Sequence, residues 1–561
     1  LTSAGMTFQA GELSTDYTGR NVYVLSWSGR EPIAPVVALT RSEDPKQPGT
    51  VRVQETWIYY AAAPQGTDPW LWDLLFANEP GWPYPFDVPG LIAGGTADVP
   101  VRIRLLGNSS HTHTVQATIN GIPAGSVTFT GTASSLLQGR IPAGALAPSG
   151  NVLALTYTAA GGSEGEWGRV YFDYVDIDVP VDRTTVPVAP DRVSGFDPRV
   201  PQFEGADYLI ITHALFRGQA ERIAGQKRRE GLNPVVVDVE RAYDRYSAGI
   251  FEANAVRKLI SDAAAGNRLR SVLLVGDDTF DYRDYSWSGQ VSYIPSLYGW
   301  DGEFGRVAAE NLYADLNGDG APDLAIGRLP VQTPEEADVL AAKISRQISV
   351  VGSLRGRYLF ATDNQGPGDI SFVGEAQAVI NVLPPGSQVT LANLANGVDS
   401  ARQTLLQGLA QGQLITTYFG HGGPQIWADE GLLTLDDMAG LTNTFRETVL
   451  FTWGCEAQFF QYLWGPSINE ALLLVPGGGA LASFGPAGIT DPNLQRILFT
   501  KVYDKFLGEG LSLGEAIRQA KAEALAANAA TKGVIEGWNL LGDPSLRLPD
   551  GPRARPRRGL P

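Results

Sequence analysis

Two short stretches, Leu414-Ile-Thr-Thr-Tyr-Phe-Gly-His-Gly-Gly423 and Thr448-Val-Leu-Phe-Thr-Trp-Gly-Cys455, decide the fold of this chain. Each is an apolar run of strand length that ends in glycine and is followed by a reactive side chain. That side chain is His421 in the first stretch and Cys455, the chain's single cysteine, in the second. Because neighbouring parallel strands end at the same edge of their sheet, we expect His421 and Cys455 to lie together.

The pairing of a thiol with an imidazole indicates nucleophilic catalysis. A cysteine needs a base or a cationic neighbour to react as a thiolate, and His421 supplies either. We expect the backbone N–H groups of Gly422 and Cys455 to form an oxyanion hole. The alternative for the same residues is a structural histidine and an inert, buried thiol, which is the commoner fate of a lone cysteine.

The chain around these stretches alternates between strand and helix patterns. Short apolar runs such as Tyr208-Leu-Ile-Ile-Thr212 and Ser271-Val-Leu-Leu-Val275 are separated by helical stretches. The sequence Thr333-Pro-Glu-Glu336 is a capping box, and it predicts a helix that runs to about Val351. This alternation predicts an α/β domain over residues 202–550, in which a mainly parallel sheet is flanked by helices.

The part of the chain before this domain has a different pattern. Stretches such as Val101-Arg-Ile-Arg-Leu-Leu alternate in hydrophobicity between Gly and Pro turns. We therefore predict an antiparallel β-sandwich over residues 1–190, whose first ~50 residues are either a partial module or an extra edge of the sandwich. Residues 191–201 are predicted to be a linker, and the basic residues 551–561 a flexible tail.

Composition excludes several classes of protein. The 561 residues include 43 Lys and Arg against 60 Asp and Glu, and the net charge of −17 disfavours nucleic-acid and anionic-lipid partners. One cysteine allows neither a disulfide framework nor a thiolate zinc cluster. Apolar runs fall short of the roughly 18 residues of a transmembrane helix, so we expect no transmembrane segment in this chain. The start at Leu1, without a basic or apolar leader, indicates a processed form.

The motifs at the two strand ends extend into a longer pattern. This pattern consists of Tyr418-Phe-Gly-His-Gly, Asn443, Val449-Leu-Phe-Thr-Trp-Gly-Cys455, and, on either side, Asp323-Leu-Ala-Ile-Gly-Arg-Leu-Pro and Asn539-Leu-Leu-Gly-Asp. Over about residues 195–550 it resembles the gingipain-type cysteine peptidases, a family of the caspase-like clan. The preceding β-region is similar to modules found before this domain in large bacterial members.

The resemblance implies an extracellular or cell-surface enzyme of caspase-like fold that cleaves proteins or peptides without a catalytic cofactor. Cys455 would be the nucleophile that forms a thioester, and His421 would protonate the leaving amine and activate water. The matching position for the acid that orients the imidazole is Asp323. A turn or a metal site is an equal alternative for this carboxylate.

Acidic and aromatic residues near the two motifs are candidates for a substrate pocket. Trp427, Asp429 and Glu430 follow the His421 loop, and Glu456 follows the nucleophile. Carboxylates at these positions predict recognition of a basic residue before the scissile bond. The alternative is a solvated loop, the usual surrounding of charges in an acidic protein.

A separate stretch, Asp315-Leu-Asn-Gly-Asp-Gly-Ala-Pro-Asp323, resembles the front half of a calcium loop. Asp315, Asn317 and Asp319 place oxygen-bearing side chains at alternate positions, as a hard cation requires. The twelfth position is Ile326 rather than Glu, so this is not a complete EF-hand. We expect a structural calcium ion here, with a plain Asp/Asn/Gly turn as the alternative.

Three functions compete at this stage. The leading hypothesis is a secreted cysteine endopeptidase. The second is a sortase-like transpeptidase of the same family, which would pass the acyl group to an amine through the same nucleophile and base. The third is a catalytically silent surface protein whose β-sandwich binds a partner. The intact pair of His421 and Cys455 argues against the third.

Overall fold

The computed structural model describes residues 48–181 and 196–549, apart from short gaps at 65–66, 80, 82, 93–96, 164, 267 and 302–304. These residues form two compact units, one in each range. The predictions for most of the first ~50 residues, for the start of the linker and for the basic tail lie outside the described residues. Residues 196–201 belong to the second unit, where the N–H of Asp197 donates to the Asp244 carboxylate.

The N-terminal unit consists of antiparallel strands, which confirms the predicted pattern. Its strands within the described residues are β1 (Pro48–Gln54), β2 (Ile58–Tyr59), β3 (Trp70–Leu71), β4 (Asp73–Phe76), β5 (Pro83–Phe86), β6 (Asp98–Gly107), β7 (Thr112–Ile119), β8 (Ile122–Thr130), β9 (Ser134–Pro142), β10 (Asn151–Ala160) and β11 (Arg169–Pro180). One sheet has the order β1-β11-β6-β9, with β4 also paired to β11, and the other has the order β5-β10-β7-β8.

The alternation of apolar and polar residues in the sequence corresponds to alternating positions in the core and at the surface. In β6, Val101, Ile103 and Leu105 are buried in the core of the unit. Arg102 lies between them on the other face, where its guanidinium donates to both carboxylate oxygens of Asp178 on β11. A two-residue period therefore places apolar side chains inside and charged pairs outside.

The second unit combines strands and helices. Its described strands are β12 (Tyr208–Thr212), β13 (Pro234–Asp238), β14 (Ser271–Val275), β15 (Tyr298–Asp301), β16 (Gly305–Ala308), β17 (Ala325–Leu329), β18 (Arg357–Thr362), β19 (Gln388–Asn393), β20 (Ile415–Phe419), β21 (Gly422–Gly423), β22 (Ile426–Trp427), β23 (Leu433–Thr434), β24 (Thr448–Trp453), β25 (Ala480–Pro486) and β26 (Trp538–Leu541). Its described helices are α1 (Arg217–Arg229), α2 (Val239–Tyr246), α3 (Ala253–Ala264), α4 (Asn311–Ala314), α5 (Pro334–Ser353), α6 (Phe372–Ile380), α7 (Val398–Gln411), α8 (Ile468–Leu474), α9 (Pro492–Tyr503), α10 (Leu513–Ala527) and α11 (Lys532–Gly537).

Ten of the described strands form one sheet of order β13-β12-β14-β17-β26-β25-β24-β20-β18-β19. Neighbouring strands in it are parallel except β25 and β26, which are antiparallel. The predicted mainly parallel sheet is therefore confirmed, but it has two halves that run in opposite directions. The strands of the β25–β19 half all end at one edge.

Helices cover both faces of this sheet, as predicted. In β20, Tyr418 packs in a core cluster with residues of α1, α5, α7 and α8. The next residue, Phe419, packs in a second cluster on the other face with residues of α6, α9, α10 and α11. The capping box predicted at Thr333 is present, with Pro334 in the first turn. Within the described residues, no helix is both long and apolar enough to cross a membrane.

Candidate active site

His421 and Cys455 emerge side by side from neighbouring strands. Strands β20 and β24 are parallel, with Phe419 paired to Trp453, and each reactive residue lies two positions beyond this pair. The two chains stay close after the strands end, because the N–H of Gly420 donates to the Trp453 carbonyl at 3.2 Å. A Cβ on Gly454 would lie 2.7 Å from the Gly420 carbonyl oxygen, so this approach requires glycine.

The Cys455 thiol is partly exposed. Its Sγ lies 3.9 Å from the Thr490 carbonyl oxygen. Burial, together with the negative charge of Glu456, raises the pKa of this thiol, while the contact with Thr490 opposes the rise. A thiol with a raised pKa needs a base to take its proton when it attacks, and His421 is the imidazole at the neighbouring strand end.

The His421 imidazole is open to solvent, with 59% of its side chain exposed, but its position is constrained. Its Nε2 lies 3.1 Å from Asp369 Oδ1, and its ring meets that of Phe372 edge to face at 5.3 Å. Nε2 therefore faces a carboxylate, and Nδ1 is the ring nitrogen that does not.

The backbone of His421 is held by two buried side chains. Its N–H donates to Asp363 Oδ2 at 2.9 Å, and its carbonyl accepts the Tyr418 hydroxyl proton at 2.5 Å. Tyr418 in turn stacks on Trp427, with ring centroids 4.6 Å apart and planes 4° apart. Burial raises the pKa of Asp363. These contacts fix the backbone of the loop that carries the His421 imidazole.

The structure does not bring Asp323 to His421. The Asp323 carboxylate accepts the backbone N–H groups of Leu316 at 2.8 Å and Asn317 at 3.3 Å, within its own turn. Asp323 precedes β17, and three strands (β26, β25 and β24) separate β17 from β20. At a strand spacing of ~4.8 Å this separation is about 19 Å, too far for contact. The acid that contacts the imidazole is Asp369.

The sequence analysis missed Asp363 and Asp369. Asp363 directly follows the apolar strand β18, which is the same signal that identified His421 and Cys455. Asp369 lies in the loop between β18 and α6, and no local pattern marks it. Both residues are recognised as neighbours of His421 only from the strand order, which places β18 next to β20.

Gly422 lies next to the backbone of Cys455. A Cβ on Gly422 would lie 3.1 Å from the Cys455 carbonyl oxygen, so the two backbones are in contact. In the β21–β22 hairpin, the N–H of Ala428 donates to the His421 carbonyl, which makes Gly422 and Trp427 a non-hydrogen-bonded pair. The N–H of Gly422 therefore points away from β22. The role of Gly422 and Cys455 as oxyanion donors stays a prediction.

The four substrate-pocket candidates differ in their surroundings. Trp427 is fully buried beneath Tyr418, so it supports the His421 loop and does not line an open pocket. Asp429 and Glu430 are exposed, and Glu430 accepts a hydrogen bond from Asn364 at 2.5 Å. Glu456 is half-buried with φ of 52°, its N–H donates to the Gly488 carbonyl, and burial raises its pKa.

The loop predicted to bind calcium is closed by its own hydrogen bonds. The Asp315 carboxylate accepts the N–H groups of Gly318 and Gly320, at 2.7 and 3.0 Å. Asn317 and Asp319 accept N–H groups two residues further along the chain. In the part of the chain that the structure describes, three or more His, Cys, Asp or Glu side chains do not cluster as metal ligands would. Calcium binding stays a prediction for this loop.

The fold and the paired thiol and imidazole define a cysteine peptidase of caspase-like architecture. The chain belongs to Peptidase family C25, whose family model matches residues 202–549. The resemblance to gingipain-type peptidases is therefore confirmed, and proteins or peptides are the substrates that the family implies.

The chain is also similar to individual proteins. An uncharacterised protein of Archaeoglobus fulgidus is 25% identical over 318 residues, which are 51% of this chain and 76% of the relative. The structure of the Arg-specific cysteine proteinase gingipain R (RgpB) is similar with a TM-score of 0.53 and 17% identity, covering 64% of this chain and 80% of that one. A complex of the pro- and mature domains of RgpB from Porphyromonas gingivalis gives a TM-score of 0.52 and 18% identity, covering 61% and 80%. Because these identities are as low as 17% and 18%, the solved structures establish the fold alone.

Proposed function

We propose that the chain is a secreted or cell-surface endopeptidase that cleaves peptide bonds through a thioester on Cys455, with His421 as acid and base. The observation that carries the proposal is the strand register, since the pairing of Phe419 with Trp453 puts His421 and Cys455 level with each other at one edge of the sheet. A thiol with a raised pKa beside an exposed imidazole supports general-base activation of the nucleophile.

The reaction proceeds in two halves. In the first, His421 takes the thiol proton as Sγ bonds to the scissile carbonyl carbon, and the resulting oxyanion binds the N–H groups of Gly422 and Cys455. The C–N bond then breaks, His421 gives its proton to the departing amine, and a thioester remains. In the second half, His421 takes a proton from water, the hydroxide attacks the thioester carbon, and the acid product leaves as the thiol regains its proton.

The two carboxylates near His421 have separate tasks in this proposal. Asp369 lies against Nε2 and stabilises the imidazolium that forms in each half of the reaction. Asp363 is buried and accepts the backbone N–H, so it holds the loop and does not contact the ring. Asp323 has no part in the proposed chemistry.

The side chains around the thiol favour a basic residue before the scissile bond. Asp429 and Glu430 are exposed beyond the His421 hairpin, and Glu456 lies next to the nucleophile. Arg496, a nearby cation on α9, is paired with Glu375 of α6 and does not neutralise them. A lysine or arginine side chain of the substrate would meet an acidic surface here.

The test is active-site labelling. A peptidyl acyloxymethyl ketone with Arg or Lys at the first position should label the wild type on Cys455 and leave Cys455→Ala unlabelled. The same peptide sequence as a substrate should be hydrolysed by the wild type only. Absence of labelling at every pH between 5 and 9 would contradict the proposal. An amine added during turnover separates hydrolysis from transpeptidation, because only a transpeptidase would form the amide product in preference to the acid.

A further inference from the structure

The loop between Cys455 and α8 carries a row of aromatic rings that leads from the interior to the surface. Phe459 stacks on buried Phe280 with centroids 5.9 Å apart, Tyr462 follows at 6.0 Å, and Trp464 meets Tyr462 edge to face at 5.2 Å. Trp464 is 67% exposed. A single exposed apolar side chain needs no explanation by itself. Trp464 differs in two respects: hydrogen bonds fix its backbone, and its loop is bonded to the hairpin that follows His421.

Polar side chains fix the backbone on both sides of the indole. Gln425 Nε2 donates to the carbonyls of Trp464 at 3.1 Å and Pro466 at 3.4 Å. From a second loop, Gln290 Nε2 donates to the carbonyl of Leu463 at 3.2 Å. An aromatic surface that is held in place before binding loses little conformational entropy when a ligand side chain packs on it.

The same contacts place Trp464 relative to the catalytic residues. Gln425 lies in the two-residue turn of the β21–β22 hairpin, and this hairpin begins at Gly422, beside Cys455. Gln425 is three residues from Gly422, a span of at most ~10 Å of extended chain. The Gln425 side chain and its hydrogen bond add to this distance, so an extended substrate covers it with about three to five residues. Trp464 therefore lies close enough to the candidate active site for one extended substrate to contact both.

We infer that Trp464 is a specificity-determining residue that binds an aromatic or long aliphatic side chain of the substrate, about three to five residues from the scissile bond. The inference rests on the proposed peptidase function and adds a second recognition point to it. Acidic side chains near the thiol take a basic residue, and the indole, which is uncharged, takes an apolar residue further along the same chain. Ring-on-ring contact favours aromatic over aliphatic occupants.

The experiment uses quenched fluorescent peptides with one cleavable bond. Each carries Phe, Leu or Ala at one position, two to five residues before or after that bond. The wild type should cleave the best Phe peptide roughly three- to tenfold more efficiently than its Ala counterpart, mainly through KM, because the contact is made equally in ground and transition states. Trp464→Ala should cleave both peptides alike, at the wild-type rate for the Ala peptide, and Trp464→Phe should keep part of the preference.

The matched control is Trp57→Ala, which removes an equally exposed indole, 67%, from the N-terminal unit and should keep the full preference. Equal cleavage of the Phe and Ala peptides by the wild type, or an unchanged preference in Trp464→Ala, would overturn the inference and leave the peptidase intact. A changed oligomeric state in Trp464→Ala with an unchanged preference would also overturn it, because the indole would then serve contact between copies. Failure of the wild type to cleave any peptide would overturn the proposed function itself, and this inference with it.

Discussion

The carboxylate whose loss should slow catalysis most is Asp363, although it does not contact the imidazole. Asp363 is buried, its Oδ2 accepts the N–H of His421 at 2.9 Å, and its Oδ1 accepts the N–H of Asn364 at 2.8 Å. Asparagine offers one carbonyl oxygen and one NH₂ group in the same shape. In Asp363→Asn, one of the two N–H groups would therefore lose its acceptor and face a donor.

The size of the effect follows from this geometry. A hydrogen bond to a charged group is worth about 1.5–3 kcal/mol, so losing it at His421 should lower kcat by roughly 10- to 100-fold if the loop shifts. Asp369 forms an exposed pair with the His421 ring, and pairs of this kind contribute about 0–1 kcal/mol. Asp369→Asn should therefore lower kcat by at most about fivefold. Asp323→Asn should leave kcat unchanged, because its carboxylate bonds only within its own turn.

The three variants are compared by kcat and KM on one peptide substrate, with melting temperatures to confirm folding. KM should change little, since neither Asp363 nor Asp369 is placed to touch substrate. A drop in kcat for Asp323→Asn that added calcium does not restore, with normal rates for the other two, would refute this reasoning. That result would return the orienting role to Asp323.

Four further predictions concern the thiol, its neighbour, the acidic loop and the sandwich. Cys455→Ala should abolish turnover and change stability by less than about 1 kcal/mol, because the thiol is partly exposed; residual cleavage would show another nucleophile. Glu456→Gln should shift the pH profile of iodoacetamide alkylation to lower pH, because the negative charge that helps to raise the Cys455 pKa is removed; an unmoved profile would contradict this. Excess chelator should lower the melting temperature if the Asp315 loop binds calcium, and an unchanged melting curve with no bound ion would mark it as a plain turn. Burial, helped by Asp68, raises the pKa of Asp173 to about 7. Since the folded pKa then lies above the unfolded value of ~3.9, the native state retains the proton more tightly, and this contribution to stability is lost as pH rises from about 4 to 7. Asp173→Asn should flatten that dependence, by at most about 4 kcal/mol, as measured by melting temperature from pH 4 to 8.

The sequence was sufficient to predict that His421 and Cys455 lie at the ends of neighbouring strands, and their catalytic role stays a prediction. His421 and Cys455 each follow an apolar strand and a glycine, and parallel strands bring such ends together. The oxyanion candidate Gly422 followed from the same pattern. These are local signals, and the structure places the residues as adjacent strand ends would.

The sequence analysis did not single out the acids near His421, because their position beside it depends on strand order. Asp277 and Asp363 both follow apolar strands, but β18 neighbours β20, whereas β14 lies in the half of the sheet that runs the other way. Asp323 sits in a motif typical of the family, yet β26, β25 and β24 separate its strand β17 from β20. Trp427 illustrates a second limit, since closeness to His421 along the chain does not tell whether a side chain faces the cleft or the core.

The loop that follows Cys455 is also held by residues from the half of the sheet that runs the other way. The loop after Cys455 joins both halves: Gln458 donates to the Asn539 carbonyl of β26 at 2.6 Å, and Gln461 donates to Asp278 beyond β14. Asp278 is fully buried, and the N–H of Ser296 donates to its carboxylate at 2.9 Å. A buried polar network that includes residues of β26 and of the segment after β14 thus holds the loop that follows the nucleophile. The family match over residues 202–549 includes all of these residues.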